Sequence, residues 1–302
     1  MDHKIKQNSA LNLIPQKKRQ DIDAFVSLLS ELRGVKAIGL GGSYARNTAT
    51  PESDIDIGLY YSDSQPFEIS DIQEIVKKIH KNGEAGTVTQ LYEWGAWVNG
   101  GAWIETESGK VDLLYRSLEH LDRVIQESSK GINSCDYLQQ APYGFYSVTY
   151  LGETATCVPI YDPENLIQAM KEKVKVYPEA LKKGIIQQNL WSVEFTLLHA
   201  KKCASRNDIY TTAGCVTRSL SCLTQVLFAL NGEYFISDRE AMNSIDSFEI
   251  SIDGYRKDVE TIIEQLGCAE ESLKDSIQNL EGLFFKVKEL AGTFYTSKYR
   301  IG

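Results

Sequence analysis

Between Gly42 and Asp56 the chain reads Gly-Ser-Tyr-Ala-Arg-Asn-Thr-Ala-Thr-Pro-Glu-Ser-Asp-Ile-Asp. The two ends of this segment carry different chemistry. At Gly42-Ser43 a glycine lets backbone amides close on a phosphate, and the Ser43 hydroxyl supplies another donor. Arg46, one helical turn later, adds a charge-assisted donor. At the other end Asp54 and Asp56 are two residues apart. Alternate side chains of a strand point the same way, so both carboxylates project together while Ile55 and Ile57 turn inward. Adjacent carboxylates repel unless a cation lies between them. Magnesium takes hard oxygen ligands and shares its shell with phosphates and water. The chemistry implied is that of a metal and a nucleoside triphosphate.

A third carboxylate is expected on a neighbouring strand. Asp112 is the best candidate, because it interrupts the apolar run Lys110-Val-Asp-Leu-Leu-Tyr115 and would be costly to bury without a cation. Glu105 and Glu107 are alternatives. Gly-Gly-Ser alone is a common strand-to-loop break, and Asp-x-Asp alone is common in surface turns. Their order, with an aspartate in a later strand, makes them a site.

These residues need elements to position them. Ile22, Phe25, Leu28, Leu29 and Leu32 form one face of a helix near 16 to 33. Val35 to Leu40 reads as a buried strand, with a short helix starting near Ser43. Asp54 to Tyr61 is the next strand, and a helix follows from Ile69 to Lys81. Thr87 to Val98 is rich in Thr, Val, Tyr and Trp. With the Asn99-Gly100-Gly101 turn and Ala102 to Glu105, it predicts a hairpin. Tyr92, Trp94, Trp97 and Trp103 cluster there, either lining a cleft or packing across strands. Lys110 to Tyr115 is a strand, Leu118 to Ile125 begins a helix, and Tyr143 to Cys157 reads as extended. From Pro163 onward the pattern is helical, over 165–176, 180–205, 211–231, 238–247, 255–266 and 270–290. The expected class is α+β: a mixed-sheet catalytic domain over 1–155, then an all-helical bundle domain over 156–302.

Composition narrows the function. The 302 residues are 42% hydrophobic and 24% charged, with a net charge of −9. No basic run favours a nucleic-acid groove. Met1 to Gln7 is polar, no secretory signal follows, and no stretch approaches the ~20 apolar residues of a membrane span. A cytoplasmic protein is expected. The six cysteines are scattered without a Cys-x-x-Cys pair, which suggests neither a zinc site nor a disulfide framework.

Gly42-Ser43, Asp54-x-Asp56 and a later strand aspartate resemble the nucleotidyltransferase superfamily that includes DNA polymerase β. With the helical half, the chain looks most similar to its small-molecule branch, the antibiotic nucleotidyltransferases of aminoglycoside and lincosamide type. The motif match covers about 38 to 116. Asn47 departs from the glycine common in relatives, but asparagine tolerates left-handed geometry. The resemblance implies transfer of a nucleoside monophosphate, AMP first among them, from a triphosphate to a hydroxyl of a small molecule such as an antibiotic, with pyrophosphate released. It implies that Asp54 and Asp56 bind magnesium, that two ions act, and that Ser43 holds the β- and γ-phosphates. Asp112 would complete the second metal site or deprotonate the acceptor. ATP or another triphosphate would be co-substrate. Alternatives are nucleotidylation of a protein or RNA, or a non-catalytic nucleotide sensor. A second copy of the chain is a candidate partner.

Two acidic residues of the helical half could bind a cationic acceptor or act as base. Glu194 lies amid Trp191, Val193, Phe195 and Leu197, and Asp208 follows Arg206. The plainer expectations are a polar helix face for Glu194 and a helix cap for Asp208.

Overall fold

The structure, a computed structural model, describes residues 14–83 and 86–299. The chain divides into two compact units. One contains residues up to 126 together with 150–176, and the other contains 127–149 together with 177 onward.

The first unit is built on a mixed sheet. Its strands are β1 (Val35–Leu40), β2 (Ile55–Tyr61), β3 (Thr87–Val88), β4 (Gly101–Thr106), β5 (Gly109–Ser117) and β8 (Val158–Tyr161). Their order is β3-β4-β5-β2-β1-β8. Only β2 and β5 run parallel; the other neighbours are antiparallel. Helix α1 (Gln16–Leu29) precedes β1, and helices α2 (Gly42–Arg46) and α3 (Ile69–Ile79) lie between strands. Helices α4 (Leu118–Ser129), α5 (Val148–Thr156) and α6 (Leu166–Val174) follow. The sequence-based boundary at 155 falls inside α5.

Strand alternation divides the sheet into two chemically different faces. Ile38, Leu40, Ile55, Ile57, Leu59, Ile104, Val111 and Leu113 share one face, packed in the core with Phe25 and Leu29 of α1 and Ile72, Ile75 and Val76 of α3. The residues between them, Asp56, Gly58, Trp103 and Asp112, therefore point to the other face. Further along that face the ring of Tyr60 lies against Gly39 and near Cys157. There Arg116 Nη2 donates to Glu153 of α5 at 2.8 Å, and its guanidinium covers the Tyr150 ring.

The expected hairpin forms only in part, as the antiparallel pairing of β3 with β4, and the expected extended passage fails, each for a physical reason. The aromatic stretch from Thr87 forms only two residues of strand before it turns. Tyr92 takes a left-handed conformation, the Gly95 N–H bonds back to Tyr92, and Thr89 Oγ1 accepts from Gly101 N–H at 2.9 Å. The segment 143–157, rich in threonine, tyrosine and glycine, mostly becomes α5 instead of an extended passage. Within α5, Thr154 and Thr156 satisfy their hydroxyls on the carbonyls of Tyr150 and Gly152, and Tyr150 and Leu151 bury their side chains. Burial there outweighs the weak helix propensity of threonine.

The second unit contains α7 (Glu179–Ala204), α8 (Ile209–Asn231), α9 (Asp238–Asp246), α10 (Tyr255–Glu264) and α11 (Glu270–Ala291). It also holds a short pairing of β6 (Cys135–Asp136) with β7 (Phe145–Tyr146). Helix α8 corrects one sequence reading, because its length and composition would let it cross a membrane. Its most apolar window is, however, 78% buried, with Val216, Leu223, Val226 and Leu227 fully enclosed against α7 and α11. The six cysteines are all free.

Candidate functional site

Sheet register gathers the motif residues into a line. Asp56 of β2 is paired directly with Asp112 of β5, and Asp112 with Trp103 of β4. Trp103 in turn pairs with Thr87 of β3. On the other side, Gly41 N–H donates to the Asp56 carbonyl at 2.8 Å. Residues paired directly across strands share a face, and neighbouring strands lie about 4.8 Å apart. Five consecutive positions therefore cross the sheet: Gly41, Asp56, Asp112, Trp103 and Thr87. Asp54, just before β2, lines a cavity together with Asp112.

The glycine turn is shaped to the carboxylate beside it. Gly42 has φ +60°, and a Cβ there would overlap the Asp56 carboxyl group. Ser43, Tyr44 and Arg46 continue into α2, which ends at Asn47 in the left-handed conformation, φ 60° and ψ 30°. The asparagine in place of the expected glycine thus keeps the turn.

Lys18, on α1, holds this loop from beneath. Its buried ammonium donates to Tyr44 Oη at 3.0 Å, to the Pro51 carbonyl at 2.9 Å and to the Ser53 carbonyl at 2.6 Å. One cation thereby ties the Gly-Ser end of the motif to its Asp-x-Asp end.

Charge crowding marks the same place. Burial, followed by the neighbouring charges of Asp112 and Glu153, pushes the Asp56 carboxyl from its ordinary 3.8 up to about 6, with Arg46 pulling the other way. Burial and the Asp54 charge also raise the pKa of Asp112. Among the described residues, no three His, Cys, Asp or Glu side chains stand close enough together to enclose an ion. The donor set nevertheless suits a hard divalent cation. It offers carboxylate oxygens only, burial and neighbouring negative charge raise the proton affinity of Asp56 and Asp112, and a cation would relieve that repulsion.

Of the other sequence candidates, Glu105 lies two residues after Trp103 on β4, lines the same cavity as Asp54 and Asp112, and pairs with Lys81. Asp208 caps α8, accepting from Thr211 N–H at 3.0 Å. Glu194 is not on a polar helix face: it is fully buried in α7. It accepts from Tyr295 Oη at 2.5 Å and from Lys298 N–H at 2.8 Å. Burial alone would raise its pKa, but these hydrogen bonds outweigh that effect and leave it lowered. Glu194 therefore anchors the segment after α11. Glu194 and Asp208 both belong to the second unit.

Sequence reasoning missed Lys18, Glu153 and Arg116. Lys18 sits in a charged stretch, Gln16-Lys-Lys-Arg19, with nothing to distinguish it from its exposed neighbours. Glu153 lies in the segment expected to be extended.

Residues 21–95 match the model of a nucleotidyltransferase domain, a span that holds Gly42, Ser43, Arg46, Asp54 and Asp56 and ends before Asp112. Residues 147–238 match a domain of unknown function (DUF4037). Among curated proteins, none matches the chain. Among solved structures, a nucleotidyltransferase-like protein from Exiguobacterium sibiricum is similar at 12% identity and a TM-score of 0.45, covering 92% of this chain and 78% of that one.

Proposed function

We propose that this chain is a metal-dependent nucleotidyltransferase that moves a nucleoside monophosphate, most simply AMP from ATP, onto a hydroxyl of a small molecule. The observation carrying this reading is the direct pairing of Asp56 with Asp112 beside the Gly42 turn. Asp54, Asp56 and Asp112 would hold magnesium, which supplies charge neutralisation at the transferred phosphoryl group and its leaving oxygen.

The chain's own groups do the rest. Gly42 and Ser43 offer amides and a hydroxyl to the β- and γ-phosphates, and Arg46 adds positive charge. The acceptor oxygen bonds to the α-phosphorus while the α–β anhydride bond breaks, and pyrophosphate leaves with the bonding electrons. The hydroxyl proton passes to the Asp112 carboxylate. An antibiotic is one acceptor of this class, and resistance one role that would follow.

The test is pyrophosphate release from a triphosphate with magnesium and a panel of hydroxylated acceptors. Asp56→Asn is expected to abolish release while circular dichroism stays unchanged. Undiminished release by that variant would remove the reading.

A further inference from the structure

We infer that the cavity beyond Asp112 is the acceptor subsite, and that the Trp103 indole is a platform for a hydroxylated, sugar-like ring. This rests on the transferase reading above and adds to it the side of entry and the acceptor class.

The direction of approach follows from the order of residues across the sheet. In an in-line displacement the attacking oxygen comes from the side opposite the leaving group. The leaving pyrophosphate belongs at Gly42 and Ser43, next to Asp56. The opposite side is then the one beyond Asp112, where β4 and β3 place Trp103 and Thr87. A cavity of about 740 Å³ opens there, and Asp54, Asp112, Trp103 and Thr87 all line it. That size falls within the range for small-molecule sites.

The lining indicates what fits. Trp103 is 55% exposed, on a strand whose alternate side chains are core. It is held in place by stacking on Trp94, with centroids 5.1 Å apart and planes at 29°. An indole supplies a rigid apolar face at little entropic cost. Apart from Ile104 and Gly86 the rest of the wall is polar, with His80, Asn82, Glu105 and Lys110 alongside Asp54 and Asp112. A wholly apolar acceptor would strip water from these groups without replacing its hydrogen bonds. A pyranose or cyclitol has an apolar ring face for the indole and a rim of hydroxyls for the polar wall. One of those hydroxyls then lies beside Asp112, a single strand away from Trp103.

The experiment uses the full chain with methyl α-glucoside and myo-inositol as probes, read by saturation-transfer NMR. Rings of this size bind with a Kd on the order of millimolar. Trp103→Ala is expected to weaken probe binding about tenfold, and Trp103→Phe to restore most of it. Unchanged binding by Trp103→Ala overturns the inference. So does the absence of saturable binding to the natural chain at about ten times that Kd. In turnover with whichever acceptor is active, Trp103→Ala should raise the acceptor KM about tenfold with the triphosphate Kd unmoved. Transfer with an unchanged acceptor KM sinks this inference alone. Trp103-dependent ring binding by a chain that releases no pyrophosphate counts against the transferase reading instead.

Discussion

Replacing Asp56 with asparagine should make the metal-free protein more stable while removing its chemistry. Asp56 stands between Asp54, Asp112 and Glu153 in a largely buried position, and its carboxyl is raised from 3.8 to about 6. The difference is about 2, and each step of one is worth about 1.4 kcal/mol, so the ionised carboxylate costs the folded, metal-free chain about 3 kcal/mol. Because the folded-state pKa is the higher one, this group's contribution to stability is complete below pH 4. It is lost as pH rises through about 6. Asparagine carries no charge, and the value of about 6 already includes the attraction of Arg46, so the net gain should be about 3 kcal/mol at pH 8 and close to zero at pH 4. Urea unfolding in EDTA across that range measures it. With saturating magnesium the order should reverse, since the ion stabilises only the chain that binds it. A variant less stable than the natural chain in EDTA at pH 8 would refute the reasoning, as would a difference that does not change with pH.

Three further outcomes are expected. Gly42→Ala, at φ +60° and against the Asp56 carboxyl group, should lose about 1–3 kcal/mol of stability and most transfer activity. Thermal melts and a pyrophosphate assay check both, and a fully active variant would show that the turn need not approach Asp56. Lys18→Met leaves the Pro51 and Ser53 carbonyls without their ammonium donor, at a cost of about 1–3 kcal/mol. It should lower turnover although Lys18 touches no substrate, and unchanged kcat would remove its positioning role. Glu194→Ala should speed hydrogen exchange at Lys298, whose N–H it holds, while leaving triphosphate affinity intact. A loss of triphosphate affinity would instead assign Glu194 to the site.

How much of this could be read in advance depended on where each signal lay. The long helices α7, α8 and α11 were legible because their apolar periodicity runs over many turns and glycine closes α8 at Gly232. Asp56 and Asp112 were legible because each interrupts an apolar strand, and Gly42 and Ser43 because they follow closely on one. That Asp56 and Asp112 are direct neighbours was not, since register depends on pairing across residues far apart in the chain. Trp103 appeared as one aromatic among four; only its place beside Asp112 distinguishes it. Lys18 was invisible for the opposite reason. A lysine beside other charged residues looks solvated, and its burial is set by three acceptors on a loop more than twenty residues away.

The most direct test of the central claim follows the label of a triphosphate. ATP carrying different isotopes at the α- and γ-phosphates is incubated with magnesium, the chain and the acceptor panel, with Asp56→Asn in parallel. The α label should move to an acceptor and the γ label should leave in pyrophosphate, both only with the natural chain. Transfer of the γ label to an acceptor, or the same products from Asp56→Asn, would contradict the account.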